Sequence, residues 1–131
     1  MPILNVKVSV EQSQEMTAKI HELLSALTHR ILGKNPALTA ITIEYLDPRD
    51  WIVGGKTLAQ QGKSSVYLDI KITDETNTKD EKAAYISEVF KGFSALLRNL
   101  HEESYIYVQD VRATAYGYGG QTQERRYHHA A

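Results

Sequence analysis

One unit is written twice in this chain, and that duplication limits what it can fold into. Pro2-Ile-Leu-Asn-Val-Lys-Val-Ser9 returns in modified form as Val66-Tyr-Leu-Asp-Ile-Lys-Ile-Thr73, and Trp51-Ile-Val-Gly-Gly-Lys-Thr57 returns as Tyr116-Gly-Tyr-Gly-Gly-Gln-Thr122. The first strands are offset by 64 residues and the second strands by 65. In the first copy, residues 3–10 alternate apolar and polar, which reads as a strand. Met16, Ile20, Leu23, Leu24, Leu27 and Ile31 then recur at helical spacing up to a C-cap at Gly33. Residues 40–46 read as a second strand, followed by an Asp47-Pro48 turn and the pair Gly54-Gly55. The second copy gives a strand at 65–73 and a capping box at Thr78-Lys-Asp-Glu81. Its helix carries Ile86, Val89, Phe90, Phe93, Leu96, Leu97 and Leu100. A strand at 105–111 and the glycine-rich stretch 116–120 complete it.

Two strands are too few to bury a helix, so neither copy is expected to stand alone. The solution is a single α+β domain, with a four-stranded mixed sheet and both helices on one face. Each β-α-β connection is long enough for a right-handed parallel crossover. Repeat one covers about 2–62 and repeat two about 63–126. Residues 123–131 form a polar tail, read as a short strand on a neighbouring subunit. The sheet's other face stays open. Tyr45, Tyr67, Tyr105, Tyr107, Tyr116 and Tyr118 place aromatic surface on strands and strand ends, which predicts oligomerisation. Strand propensity with a polar tip is the alternative explanation for these tyrosines.

Composition narrows the function. A formal net charge of -1 over 131 residues leaves no basic face for nucleic acid or membrane. Without cysteine there is no disulfide frame, thiolate metal site or thiol nucleophile. The N-terminus lacks the apolar run of a signal peptide, and no stretch is long and apolar enough to span a bilayer. The expectation is a soluble, cytoplasmic protein without metal or cofactor. His128 and His129 lack partners at ligand spacing. Gly117 and Gly119 lack the Gly-Lys-Ser/Thr ending of a phosphate loop. Lys7 and Lys71 are repeat partners and read as sheet-face residues.

Chemistry enters through Pro2. Removal of Met1 would leave its nitrogen as a secondary amine, a base or, with a carbonyl, a nucleophile that needs no catalytic side chain. Its repeat partner, Val66, is embedded in the chain and has no free amine. Only one half of the duplicated unit can therefore carry this chemistry.

Pro2, the β-α-β unit and the aromatic-x-x-Gly-Gly turn at Trp51–Gly55 resemble 4-oxalocrotonate tautomerase. The doubled unit resembles the longer members of the same superfamily: macrophage migration inhibitory factor, malonate semialdehyde decarboxylase and cis-3-chloroacrylic acid dehalogenase. The likeness runs from residue 2 to about 122. It implies a homotrimer with Pro2 in a pocket shared between chains. It also implies that Trp51 lines the pocket and keeps the amine poorly solvated, an environment that disfavours the ammonium form; a core or interface aromatic is the other reading of Trp51. His29, in Thr28-His29-Arg30, resembles the dehalogenase histidine that binds the substrate carboxylate, or is a solvated helix-end histidine. Tyr107 falls where the dehalogenase has a pocket tyrosine.

The departures are as specific. The tautomerase's substrate-binding arginines find Thr42 on the second strand, with Tyr107 as its repeat partner, and Glu11 and Gln12 after the first. The dehalogenase's arginine pair falls near Thr73 and Thr76, and its water-activating glutamate near Thr114 or Ala115. A carboxylate substrate still needs a cation. Lys7, Arg49, Lys56, Lys71, Arg112, Arg125 and Arg126 are candidates; the Arg125-Arg126 pair follows the second Gly-Gly turn and either reaches a neighbouring chain's Pro2 or is a solvated tail pair. The expected activity is keto–enol or double-bond isomerisation of a small 2-oxo or unsaturated carboxylic acid, with Pro2 as base and Tyr107 or an arginine on the dienolate oxygen. The alternatives are hydratase- or dehalogenase-like chemistry on unsaturated acids, and a trimer that keeps the fold without the chemistry.

Overall fold

The computed structural model describes residues 2–129, the side chain of His129 excepted. Met1, Ala130 and Ala131 lie outside the described residues, and so does the question of whether Met1 is removed. In β1 (Ile3–Val8), buried Leu4, Val6 and Val8 alternate with Ile3, Asn5 and Lys7, so the strand has one core face and one open face. The helix α1 (Gln14–Leu32) begins at Ser13, whose side chain accepts the Met16 N–H. It ends at Gly33, whose φ of 70° is a left-handed cap that costs glycine little. The strand β2 (Ala40–Tyr45) returns parallel to β1. A hairpin of β3 (Ile52–Val53) and β4 (Lys56–Thr57) then closes over Gly54-Gly55, and Thr57 and Gln60 box the start of α2 (Leu58–Gln61).

The second half repeats the plan. It runs through β5 (Val66–Thr73), α3 (Lys79–Leu96) with its Thr78–Glu81 capping box, and β6 (Tyr105–Val111). The hairpin of β7 (Gly117–Tyr118) and β8 (Gln121–Thr122) and the helix α4 (Gln123–His129) follow. The tail expected to be a strand is thus helical, opened by the Thr122 hydroxyl accepting the Arg125 N–H. It matches α2 in the first half.

The halves join in one sheet of order β2-β1-β5-β6, parallel within each half and antiparallel between β1 and β5. That seam pairs Ile3 with Lys71 and Val8 with Val66, so β1 begins where β5 ends. Each Gly-Gly hairpin follows the outer strand of its own half, and so sits at the pole where the other half's first strand begins. Both helices cover one face. Their Ile20, Leu24, Leu27, Tyr85, Val89 and Phe93 pack on Leu4, Val6, Val8, Leu68, Ile70 and Ile72. Ile86, expected in this stripe, is 38% exposed, while Tyr85 is fully buried. The Tyr85 hydroxyl bonds Thr28 Oγ1 at 2.9 Å, which lets a polar side chain occupy the core. Leu97 and Leu100 fall beyond the end of α3.

Candidate active site

Pro2 is buried at the start of β1, and its carbonyl accepts the Ala40 N–H at 3.1 Å. Continuing the β1–β5 ladder one step beyond Ile3–Lys71 sets Pro2 against Ile72, and the next place, toward which its nitrogen runs, against Thr73. The second hairpin lies at this pole. Tyr116, which leads into it, donates its hydroxyl to the Lys71 carbonyl at 3.2 Å. Burial pushes this phenol above its usual range, while a hydrogen bond from the Ile3 backbone acts the other way. The hydroxyl therefore sits in the ladder one residue from Pro2.

Thr73 leads to a cation. Its carbonyl accepts the Thr76 hydroxyl at 2.5 Å, and Thr76 Oγ1 accepts Lys34 Nζ at 2.9 Å. Lys34 follows the Gly33 cap and is 9% exposed. Burial pushes its ammonium below the usual lysine range, and the fields of Glu81 and Asp110 oppose that shift. Among the described residues no carboxylate lies within ion-pair distance of it. A buried ammonium whose bonded partner is a neutral hydroxyl favours an incoming anion.

A cavity of about 440 Å³ opens at the same pole, lined among others by Leu38, Thr73, Thr76, Ala113, Tyr118 and Arg126. The Arg126 guanidinium lies 3.8 Å from the Tyr118 ring centroid and donates through Nη2 to the Tyr118 carbonyl at 2.9 Å. Its Nε and the Gln123 Oε1 are shielded from solvent with no hydrogen-bond partner among the described residues.

Of the residues singled out in the sequence, the fold brings Arg126 to its own chain's Pro2 pole. Arg125 is exposed and is not among this cavity's lining residues. His29 is exposed at the end of α1, with Nδ1 3.2 Å from the Lys34 carbonyl. Tyr107 is 52% exposed on the open face, in register with Asp69 and, one strand further, Asn5. Within one chain it lies across the sheet from Pro2. Trp51 lies at the opposite pole, in a cavity with Lys7, Val66 and Tyr67. Within the chain, the aromatic beside Pro2 is Tyr116, because the antiparallel seam crosses each hairpin to the other half's strand. Of the other cations, Lys71 pairs with Asp69 at 3.0 Å and Arg49 with Asp47 at 2.6 Å. Lys34 was absent from the sequence candidates; a lysine directly behind a helix-capping glycine, leading back to β2, was the available signal.

No family model matches the sequence. Over 66 residues, 47% of this chain and 92% of the relative, the chain is 30% identical to a protein of Dickeya dadantii (strain 3937) named probable tautomerase K2. Among solved structures the fold matches native fused 4-OT with a TM-score of 0.82 at 18% identity, over 94% of this chain and 97% of that one. It matches a symmetric trimer of wild-type fused 4-OT at 0.80 and 20% identity, over 93% and 96%. The macrophage migration inhibitory factor-like protein of Entamoeba histolytica matches at 0.75 and 16% identity, over 92% and 97%. At such identities these structures speak for the fold.

Proposed function

The chain belongs to the tautomerase superfamily, and we propose that within it the Pro2 amine, freed by removal of Met1, is the general base of a cofactor-independent isomerase. The substrate is a small 2-oxo or unsaturated carboxylic acid. The amine takes a proton from the carbon beside the carbonyl, the electron pair moves onto oxygen as a dienolate, and the resulting ammonium returns the proton to another carbon. One proton moves and nothing is consumed. The observation that carries this reading is the convergence at one pole of a buried Pro2, a hydroxyl at Ile3 and two cations, Lys34 and Arg126.

Each part has a physical task. Burial and the neighbouring positive charges disfavour the proline ammonium, holding the amine as free base near neutral pH. Lys34 and Arg126 supply the carboxylate anchor whose usual positions hold Thr42, Thr73 and Thr76 in this chain. Activation of water is outside the reading, because Thr114 and Ala115 carry no carboxylate. In a trimer, which fused 4-OT forms, the exposed Tyr107 of one chain would reach the Pro2 pole of the next.

The test compares mature protein with Pro2→Ala in the enol–keto conversion of phenylpyruvate and of 2-hydroxymuconate. An intact mass first verifies the loss of Met1. A fall in kcat/KM of about 100-fold or more is expected from loss of a general base. Equal rates would remove Pro2 from the mechanism.

A further inference from the structure

The pole without a proline holds the larger cavity. About 1050 Å³ opens there between the first hairpin and the start of β5, lined among others by Trp51, Tyr67, Tyr105, Lys7, Lys56 and His101. We propose that this second pole is a non-catalytic binding site for a small aromatic carboxylate. It is the pseudo-symmetric counterpart of the Pro2 pole, with Val66 where Pro2 stands in the other half, so it keeps a pocket and lacks the base. Ligand cavities of comparable size are mostly apolar with a few convergent polar groups.

Its wall is already tied in place. Gln61 Nε2 donates to the Val53 carbonyl at 2.8 Å and the Lys56 carbonyl at 3.1 Å, which pins the hairpin. The His101 Nδ1 accepts the Glu103 N–H at 3.0 Å, so Nε2 carries the proton and donates to Gln61 Oε1 at 3.1 Å. The hairpin and the loop before β6 are thus joined through one glutamine, and no rearrangement is needed to form the pocket.

The charges select the ligand's sign. Among the described residues neither Lys7 nor Lys56 lies within ion-pair distance of a carboxylate. Two carboxylates share the lining: Glu103, which accepts the Tyr105 hydroxyl at 2.8 Å, and Asp50, which lies in the field of the Asp47-paired Arg49. Lys7 Nζ stands 5.9 Å from the Tyr67 ring centroid, at the edge of the aromatic wall. A planar apolar body against Trp51, Tyr67 and Tyr105, with an anionic group toward the two lysines, satisfies both halves of this lining.

Trp51 is the chain's single tryptophan, so its signal reports this pole alone. The experiment titrates the Pro2→Ala protein with phenylacetate and with phenylacetamide, its uncharged isostere, following Trp51 fluorescence and the indole N–H resonance. Working in that variant separates the result from the fate of the Pro2 mechanism. Saturable change with phenylacetate is expected at roughly millimolar concentration or below, with the amide at least about tenfold weaker. Lys7→Met combined with Lys56→Met should erase the preference for the acid while leaving the thermal midpoint and native mass unchanged. If that pair fails to fold, Lys56→Met alone must still weaken phenylacetate relative to phenylacetamide. No saturable change, an equal response to acid and amide, or a preference that survives loss of the lysines would overturn the proposal.

Discussion

The proposed role of Pro2 is tested first at Tyr116, whose hydroxyl occupies a place in the β1–β5 ladder beside Ile3. Tyr116→Phe keeps the ring and removes that bond. The expected cost is about 1 kcal/mol of stability in a denaturant titration, with kcat/KM falling about tenfold and KM little changed, since orientation of the base is what is lost. Lys34 acts through charge. Lys34→Met removes a cation near the amine, so the acid limb of the kcat/KM profile should move to higher pH, by roughly half to one unit. KM for a carboxylate should rise as well, and Lys34→Arg should restore the limb position more than KM. Stability gives a separate check. The folded pKa of Lys34 lies below its ordinary value, so between the two the unfolded chain binds more protons and stability rises with pH. Lys34→Met should flatten that alkaline rise. The groups facing Lys34 are Glu81, Asp110 with its partner Lys82, and His29 on the Lys34 carbonyl, so the same titration of Lys34→Met is read against the unchanged background that these groups supply.

At the scale of elements, the two helices are held together by a bond the apolar periodicity did not reveal. Burial raises the Tyr85 phenol to about 12, opposed by its bond to Thr28. Thr28→Val would strand a buried hydroxyl and should cost about 1–3 kcal/mol in chemical denaturation. Adding Tyr85→Phe should recover much of that loss, because both partners are then apolar. The strands, both long helices and their caps were legible because they rest on local rules: alternation in β1, Gly33 after α1, and the Thr78–Glu81 box before α3. Tyr85 was not, since a tyrosine in a helical stripe declares its burial only when a partner such as Thr28 is known from 57 residues away. The place of Tyr116 beside Pro2 within the chain was hidden for a related reason. The repeat exposes both aromatics, but which one meets Pro2 depends on the antiparallel seam between the halves, a pairing that no local pattern encodes. The seam also decides why Arg126 meets its own chain's Pro2 pole.

At the scale of the whole molecule, the open sheet face sets the expected assembly. The strands β2 and β6 are both sheet edges, and Tyr107 on β6 stands 52% exposed. An edge and an aromatic face left together invite pairing with another copy. The face of one chain differs from its edge, so such a contact would be heterologous, and it closes as a ring where the rotation allows. Fused 4-OT, of the same fold, forms trimers. Light scattering should accordingly give three times the 14.8 kDa chain mass. Tyr107→Lys puts a charge where the ring would close, and should yield the single-chain mass at low micromolar concentration. The far-UV spectrum should stay unchanged, because Tyr107 is outside the core that holds β6. Activity then separates two designs. If the neighbour's Tyr107 completes the Pro2 pocket, the monomer loses turnover at least about tenfold, and the softer Tyr107→Phe keeps the trimer while losing part of that rate. If the monomer turns over phenylpyruvate at the trimer's rate, Pro2, Tyr116, Lys34 and Arg126 suffice, and assembly serves only to cover the sheet.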